Sequence, residues 1–141
     1  MRSIPFFIFA FLIFTGSLFA QNFASIKNNQ VIPLRDVSSI SIDLQNSNVE
    51  IIRTKGAFVM VETKIKLYET DFHILEHLNQ TGRYDVKLEK QKDTQHVSLV
   101  EKTSLPTLRI SGKTIKEEIS YVIHVPERVH LRESALALSF Q

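Results

Sequence analysis

Apolar and polar residues alternate with a period of two through most of the chain after residue 36. In the run 58–67, one face of the predicted strand carries Val59, Val61, Thr63, Ile65 and Leu67. The other face carries Met60, Glu62, Lys64 and Lys66. Because successive side chains of a strand point to opposite faces, this pattern predicts a strand whose first set of residues faces a core.

The same alternation recurs along the chain and predicts several more strands. At 37–44, the residues expected to face the core are Ile40, Ile42 and Leu44, and those expected to face solvent are Ser39, Ser41 and Asp43. Further strands are predicted at 49–51, 83–89, 95–101, 108–110 and 118–125. Strands at such short intervals predict an all-β domain with antiparallel or coiled strands, without room for the crossovers of a nucleotide-binding α/β fold.

One segment departs from this pattern. Three apolar residues recur at helical spacing, namely Ile74, Leu75 and Leu78. Thr70 or Asp71 can cap the start of a helix, and Gly82 can end it. The predicted fold is therefore mainly β, with short strands in a β-solenoid-like or β-sandwich arrangement and one short α-helix at about 71–81.

The first twenty residues have a composition of their own. Fourteen of them are apolar, and a charged start at Arg2 precedes an apolar run at 4–14 and a break at 15–17. This order is typical of a secretory signal peptide, with cleavage expected after Ala20. The run is too short for a usual membrane-spanning helix. Because Leu18 stands where the peptidase prefers a small residue, an uncleaved N-terminal anchor remains the alternative.

These features divide the chain into three parts. Residues 1–20 are expected to form a signal peptide, and residues 21–36 a polar lead-in with at most one short strand. Residues 37–141 are expected to form a single all-β domain, with truncation at the C-terminus left open. Without the signal peptide, 47 of 121 residues are apolar. Since this share is ordinary for one small domain, we expect it to build a core and leave no spare apolar patch.

Composition narrows the possible functions. The chain has no Cys, which excludes disulfides, thiolate zinc sites and Cys nucleophiles. Its formal net charge is +2, and acidic residues are interleaved with the basic ones, so we expect no nucleic-acid partner. We also expect no transmembrane segment after signal cleavage.

The string from His73 to His77 matches the inverted zinc-protease pattern H-x-x-E-H. Two imidazoles at this spacing do share one face of a helix, as a zinc site needs. That face points nearly opposite the apolar residues of the same helix, which places both rings in solvent. We therefore assign no metal residue, although adventitious metal binding by these two histidines stays open.

The sequence indicates no catalytic or cofactor-binding residue either. It contains no G-x-S-x-G motif and no Ser for which a nearby His and Asp can be predicted. The remaining histidines, His96, His124 and His130, are expected to have structural roles on strands. A small periplasmic ligand-binding module is the alternative to a contact protein, and Tyr84 and Tyr121 are the residues that we expect to line its pocket.

Three segments of the chain, 40–51, 59–67 and 119–129, resemble the head-GIN group of adhesin domains. These are exported bacterial β-solenoid proteins common in Bacteroidetes-type bacteria, and the resemblance is to their N-terminal part only. The last segment looks like the strand that ends in Val-Pro before the family's coils begin. Here residues 135–140 follow instead of Gly-, Asn- and Asp-rich coils. The resemblance implies an envelope protein, in the periplasm, on the outer surface or extracellular, and provides no site residues.

We therefore expect an exported bacterial envelope protein with an adhesin-like, non-enzymatic β-domain that acts by surface contact. Its partner on the surface or in the envelope, its oligomeric state and any ligand are not specified by the sequence.

Overall fold

A computed structural model describes residues 22–45, 48–92 and 94–132. The predicted signal peptide and residues 133–141 lie outside these ranges. The strands are β1 (Phe23–Pro33), β2 (Ser39–Asp43), β3 (Asn48–Thr54), β4 (Phe58–Tyr68), β5 (Val86–Lys90), β6 (His96–Glu101), β7 (Arg109–Ile110), β8 (Lys113–Thr114), β9 (Glu117–Pro126) and β10 (His130–Arg132). The helix α1 spans Phe72–Gln80.

The strands form two four-stranded sheets and one small hairpin. Sheet A has the order β1-β4-β9-β3, sheet B has the order β10-β2-β6-β5, and β7 pairs with β8. The inner faces of the two sheets share one core: Leu34, Ile40, Leu44, Val59, Val61, Val86, Val97, Leu99, Tyr121, Ile123, Val125 and Val129. Of the two arrangements that the sequence leaves open, the structure is therefore β-sandwich-like.

A second apolar cluster lies beneath the helix. It comprises Ala24, Ile65, Leu67, Leu75, Tyr84, Leu108 and Ile115. The helix is anchored by Leu75, which is fully buried, and Ile74 and Leu78 flank it as half-buried residues. Gly82 follows with a positive φ of 81°, which suits a residue without Cβ. The predicted helix and its core-facing residues are confirmed.

The register predicted for β4 is also confirmed. Val59, Val61 and Ile65 have no exposed surface, whereas Met60 and Lys64 between them are exposed. In β9, the predicted core residues Tyr121, Ile123 and Val125 are all buried. A strict alternation of this kind fixes the faces of a strand, because a shift by one residue would turn every core residue to solvent.

The interpretation of residues 21–36 as a lead-in with at most one short strand is wrong. These residues contain β1, an 11-residue strand that pairs along its whole length with β4. Polar residues in its middle hid the pattern, and they are tolerated because β1 is an edge strand. One of them, Gln30, bridges the sheets: its amide bonds to both the N–H and the C=O of Val86 in β5.

The expectation of antiparallel or coiled strands is met only in part. β2 is parallel to both β10 and β6, and β3 is parallel to β9. These neighbours are far apart in sequence, and the chain between them passes through the opposite sheet. Parallel pairing therefore needs no crossover helix, which is why short strand intervals did not exclude it.

Candidate interaction surface

The outer face of sheet A carries exposed apolar side chains at one end. Strand pairing places Val31 opposite Met60, and His124 opposite both Met60 and Ile52, so one row crosses all four strands. Phe58 lies in the next row of β4. The exposed fractions are 60% for Val31, 52% for Phe58, 43% for Met60 and 37% for Ile52. We call these four residues the apolar patch.

The apolar patch contradicts the expectation that the chain leaves no spare apolar patch. Clustered apolar side chains on a small protein mark contact sites, whereas single ones are ordinary. The sequence did not predict this patch, because Val31 lies in the segment that was expected to be a lead-in. The neighbours of a residue across paired strands also cannot be recognised from the sequence alone. The sequence did contain a local signal. Phe58 and Met60 are apolar, although they occupy the strand positions that alternate with the core residues Val59 and Val61.

The other end of the same face carries aromatic residues and lysines. The rings of Phe23 and Tyr68 lie 6.0 Å apart between centroids. The ammonium of Lys66 lies 5.1 Å from the centroid of Phe23, and that of Lys116 lies 4.7 Å from the centroid of Tyr68. Phe72, the first residue of α1, is 48% exposed, but its helix packs through Leu75 against Ala24, Ile65 and Leu67 on the other face of sheet A. We call Phe23, Lys66, Tyr68 and Lys116 the aromatic end.

A hydrogen bond fixes the tyrosine of the aromatic end. The Tyr68 hydroxyl donates to a carboxylate oxygen of Glu118 at 2.9 Å. This bond raises the pKa of Tyr68 and lowers the pKa of Glu118. Glu118 also pairs with Lys116 at 3.4 Å, so the ring, the carboxylate and the ammonium hold one another in place.

A groove of about 570 Å³ lies where the ends of β2 and β6 meet the start of β9. Four of its lining residues are acidic, namely Asp43, Glu89, Glu101 and Glu117. Its volume falls in the usual range for small-molecule sites. This acidic lining favours a cationic ligand.

One wall of the groove is held by a half-buried ion pair. Arg83 donates two hydrogen bonds of 3.0 Å to the two carboxylate oxygens of Glu117, and the Tyr84 hydroxyl donates a third of 2.6 Å. The hydrogen bonds to Glu117 raise the pKa of Arg83. Burial, and then the bond to Glu117, raises the pKa of Tyr84. The network therefore fixes the start of β9.

The two tyrosines expected to line a ligand pocket are core residues. Tyr84 and Tyr121 are each only 1% exposed and belong to the two apolar clusters. Neither lines the acidic groove. Within the residues that the structure describes, these tyrosines therefore build no pocket, although Tyr84 supports the groove through Glu117.

The structure brings together a serine, a histidine and an aspartate that sequence reasoning left apart. The Ser39 hydroxyl lies 2.8 Å from Nδ1 of His96, and the Ser41 hydroxyl lies 3.2 Å from Nε2 of the same ring. Ser41 also donates to Asp43 at 3.2 Å and meets the Ser98 hydroxyl at 2.9 Å. The parallel pairing of β2 with β6 creates this cluster.

The protons of this cluster can be assigned from its acceptors. A carboxylate can only accept a hydrogen bond, so the Ser41 hydroxyl donates its one proton to Asp43. The Ser41 oxygen must then accept a hydrogen bond from Nε2–H of His96. In the neutral ring, Nδ1 then accepts from Ser39. Since Ser39 is 4% and His96 7% exposed, the arrangement stabilises strand pairing and does not present a nucleophile to solvent. The expectation that Ser39 and Ser41 face solvent is wrong.

The zinc-protease pattern lies on the exposed face of α1, as expected. The His73 side chain is 93% exposed, and its Nδ1 lies 4.0 Å from a carboxylate oxygen of Glu76. His77 is exposed in the last turn. Within residues 22–45, 48–92 and 94–132, no group of three or more His, Asp or Glu side chains is arranged to hold a metal ion.

In the described part of the chain, no helix has the length and apolar character that a membrane span needs.

Comparison of the chain with models of known protein families, with curated proteins and with solved structures gave no match.

Proposed function

We propose that the protein is an exported bacterial envelope protein whose adhesin-like, non-enzymatic β-domain acts by surface contact. The observation that carries this proposal is the apolar patch on the outer face of sheet A. Phe and Met are enriched in the buried centres of protein interfaces, and a polar rim usually surrounds them. Here Glu50 and Glu62 occupy the neighbouring row and provide such a rim.

The position of the patch supports contact without rearrangement. Two of its residues lie on β4, whose opposite face is the core of the sandwich. Side chains on a central, well-packed strand are held in fixed positions, so little conformational entropy is lost when a partner covers them. A rigid face of this kind suits binding better than chemistry that requires a cleft.

Export is tested by the state of the N-terminus in cells. Fractionation of cells that produce the full chain should place it outside the cytoplasm, with Gln21 as its first residue after cleavage behind Ala20. A membrane-bound chain that keeps residues 1–20 would support the anchor alternative. An intact chain in the cytoplasmic fraction would contradict export.

The role of the patch is tested by paired double variants of the full chain. Phe58→Ser with Met60→Ser should release the protein from its envelope complex, measured as a smaller sedimenting species after mild solubilisation. The matched control is Val49→Ser with Ile51→Ser, because both residues are exposed to a similar extent but lie on the other face of β3. A patch variant that remains in the complex would contradict the proposal.

A second candidate, a small periplasmic ligand-binding module, is favoured by the acidic groove alone. It requires that a small organic cation raise the midpoint of thermal unfolding and that Glu89→Gln with Glu101→Gln remove this effect. It lacks the support expected from Tyr84 and Tyr121, which are packed in the core.

A further inference from the structure

A histidine lies in the middle of the apolar patch. His124 on β9 stands directly between Met60 on β4 and Ile52 on β3, and its side chain is 23% exposed. Its neighbours on the same face of β9 are Val122 and Pro126, which are both apolar. A partner that covers the apolar patch must therefore also cover the imidazole ring.

Charged groups face this ring from the neighbouring strands. One carboxylate oxygen of Glu62 on β4 lies 3.8 Å from Nε2 of His124, and the other lies 3.2 Å from the ammonium of Lys27 on β1. Glu50 on β3 occupies the same row as Glu62. The carboxylate beside the ring is therefore already paired with a lysine and does not serve His124 alone.

The charge of the ring decides how costly it is to cover the patch. Histidine is the side chain that ordinarily gains a proton between pH 8 and pH 5. A neutral imidazole can be covered by apolar side chains at a small cost, whereas a protonated one loses the hydration of its charge. Because Glu62 is shared with Lys27, it compensates only part of that loss. The protonated ring therefore disfavours an apolar partner.

We propose that protonation of His124 releases the partner of the apolar patch, so that contact holds at neutral pH and is lost on acidification. The inference rests on the proposed function and adds regulation to the same site. A partner that binds only the neutral ring loses up to about tenfold in affinity for each pH unit below the range in which the ring gains its proton.

The test uses the full chain in its envelope complex, mildly solubilised and sedimented at about pH 7.5 and at about pH 5.5. The unmodified chain should sediment with the complex at the neutral pH and mainly as the smaller species at the acidic pH. The apparent affinity should fall by roughly tenfold or more. His124→Gln keeps a polar side chain that takes no proton in this range, so it should remain in the complex at the acidic pH.

His130→Gln is the matched control for loss of a titratable ring. His130 is exposed on β10 of sheet B, away from the apolar patch. This variant should be released at the acidic pH as the unmodified chain is. Circular dichroism at both pH values shows whether each chain is folded.

Equal sedimentation of the unmodified chain at the two pH values would overturn the proposal. Release of His124→Gln at the acidic pH would also overturn it, including release through a general loss of structure. Both results would leave the proposed function standing, since the unmodified chain is still bound at neutral pH. Retention of Phe58→Ser with Met60→Ser in the complex at neutral pH would contradict the proposed function, and the pH dependence with it.

Discussion

Three polar side chains on the outer face of sheet B, those of Ser39, Ser41 and His96, are buried. Ser41 is 6% exposed, and its hydroxyl contacts His96, Ser98 and Asp43. Alternation assigned Ser41 to the side away from the core correctly, but being away from the core does not mean being in water. Partners 55 and 57 residues distant in sequence enclose it, and no local pattern reveals such neighbours.

Because Ser41 is enclosed, Ser41→Asp should be costly, whereas a residue that faced solvent, as the sequence predicted for Ser41, would tolerate it. The new carboxylate would be nearly buried beside Asp43, and His96 would have to reorganise around two negative charges. We expect Ser41→Asp to lower the free energy of unfolding by about 3 kcal/mol, measured by urea denaturation. Ser38→Asp is the control, since Ser38 is exposed. Equal losses for the two variants would show that the cluster is not enclosed in solution.

Burial of Tyr84 should make the free energy of unfolding depend on pH in the alkaline range. Its folded-state pKa is raised from 10.0, so as the pH rises the unfolded chain releases this proton before the folded one does. The free energy of unfolding should therefore be unaffected below about pH 10 and fall above it, by up to ~1.4 kcal/mol per pH unit.

The variant Tyr84→Phe isolates this contribution. It should be less stable at neutral pH, because Glu117 loses a hydrogen bond, and it should show a shallower loss between pH 10 and 11. Tyr68→Phe should keep most of the slope, since the Tyr68 hydroxyl is solvent-exposed. An unchanged alkaline slope in Tyr84→Phe would mean that the hydroxyl is not buried in solution.

The local pattern was sufficient to predict a strand and its core face where the two faces of the strand differ clearly in polarity. β4 and β9 alternate strictly, so their core faces were predicted residue by residue. β1 was not predicted, because Asn28, Asn29 and Gln30 break the alternation and because its partner β4 lies more than thirty residues away along most of their pairing. The apolar patch shares this cause, since it exists only once β1, β4, β9 and β3 are paired.

The register of β4 predicts that the same substitution is tolerated on one face of the strand and abolishes folding on the other. Val61→Asp should abolish folding, because it would bury an unpaired carboxylate at a cost comparable with the stability of a small domain. Lys64→Asp, three residues later on the exposed face, should change the free energy of unfolding by less than about 0.5 kcal/mol. Circular dichroism and thermal unfolding of the two variants would show the difference. Similar tolerance at both positions would contradict the register.

At the level of the whole molecule, the sandwich separates two surfaces on one face of sheet A. The core and the helix cluster hold β4 in place, and its outer residues supply Phe58 and Met60 of the apolar patch and Lys66 and Tyr68 of the aromatic end. On our proposed function, the apolar patch is the end that meets a partner. Both ends belong to the same four-stranded sheet, so a partner bound at the apolar patch would fix the orientation of the aromatic end.

The most direct test of the proposed contact is site-specific photocrosslinking in cells that produce the full chain. A photoreactive residue is placed at Val31, the most exposed member of the apolar patch, or at Val49, an exposed apolar residue on the other face of sheet A. We predict a discrete crosslinked envelope partner from position 31, lost when Phe58→Ser and Met60→Ser are added, and none from position 49. No adduct at position 31, or the same adducts at both positions, would contradict contact through the apolar patch.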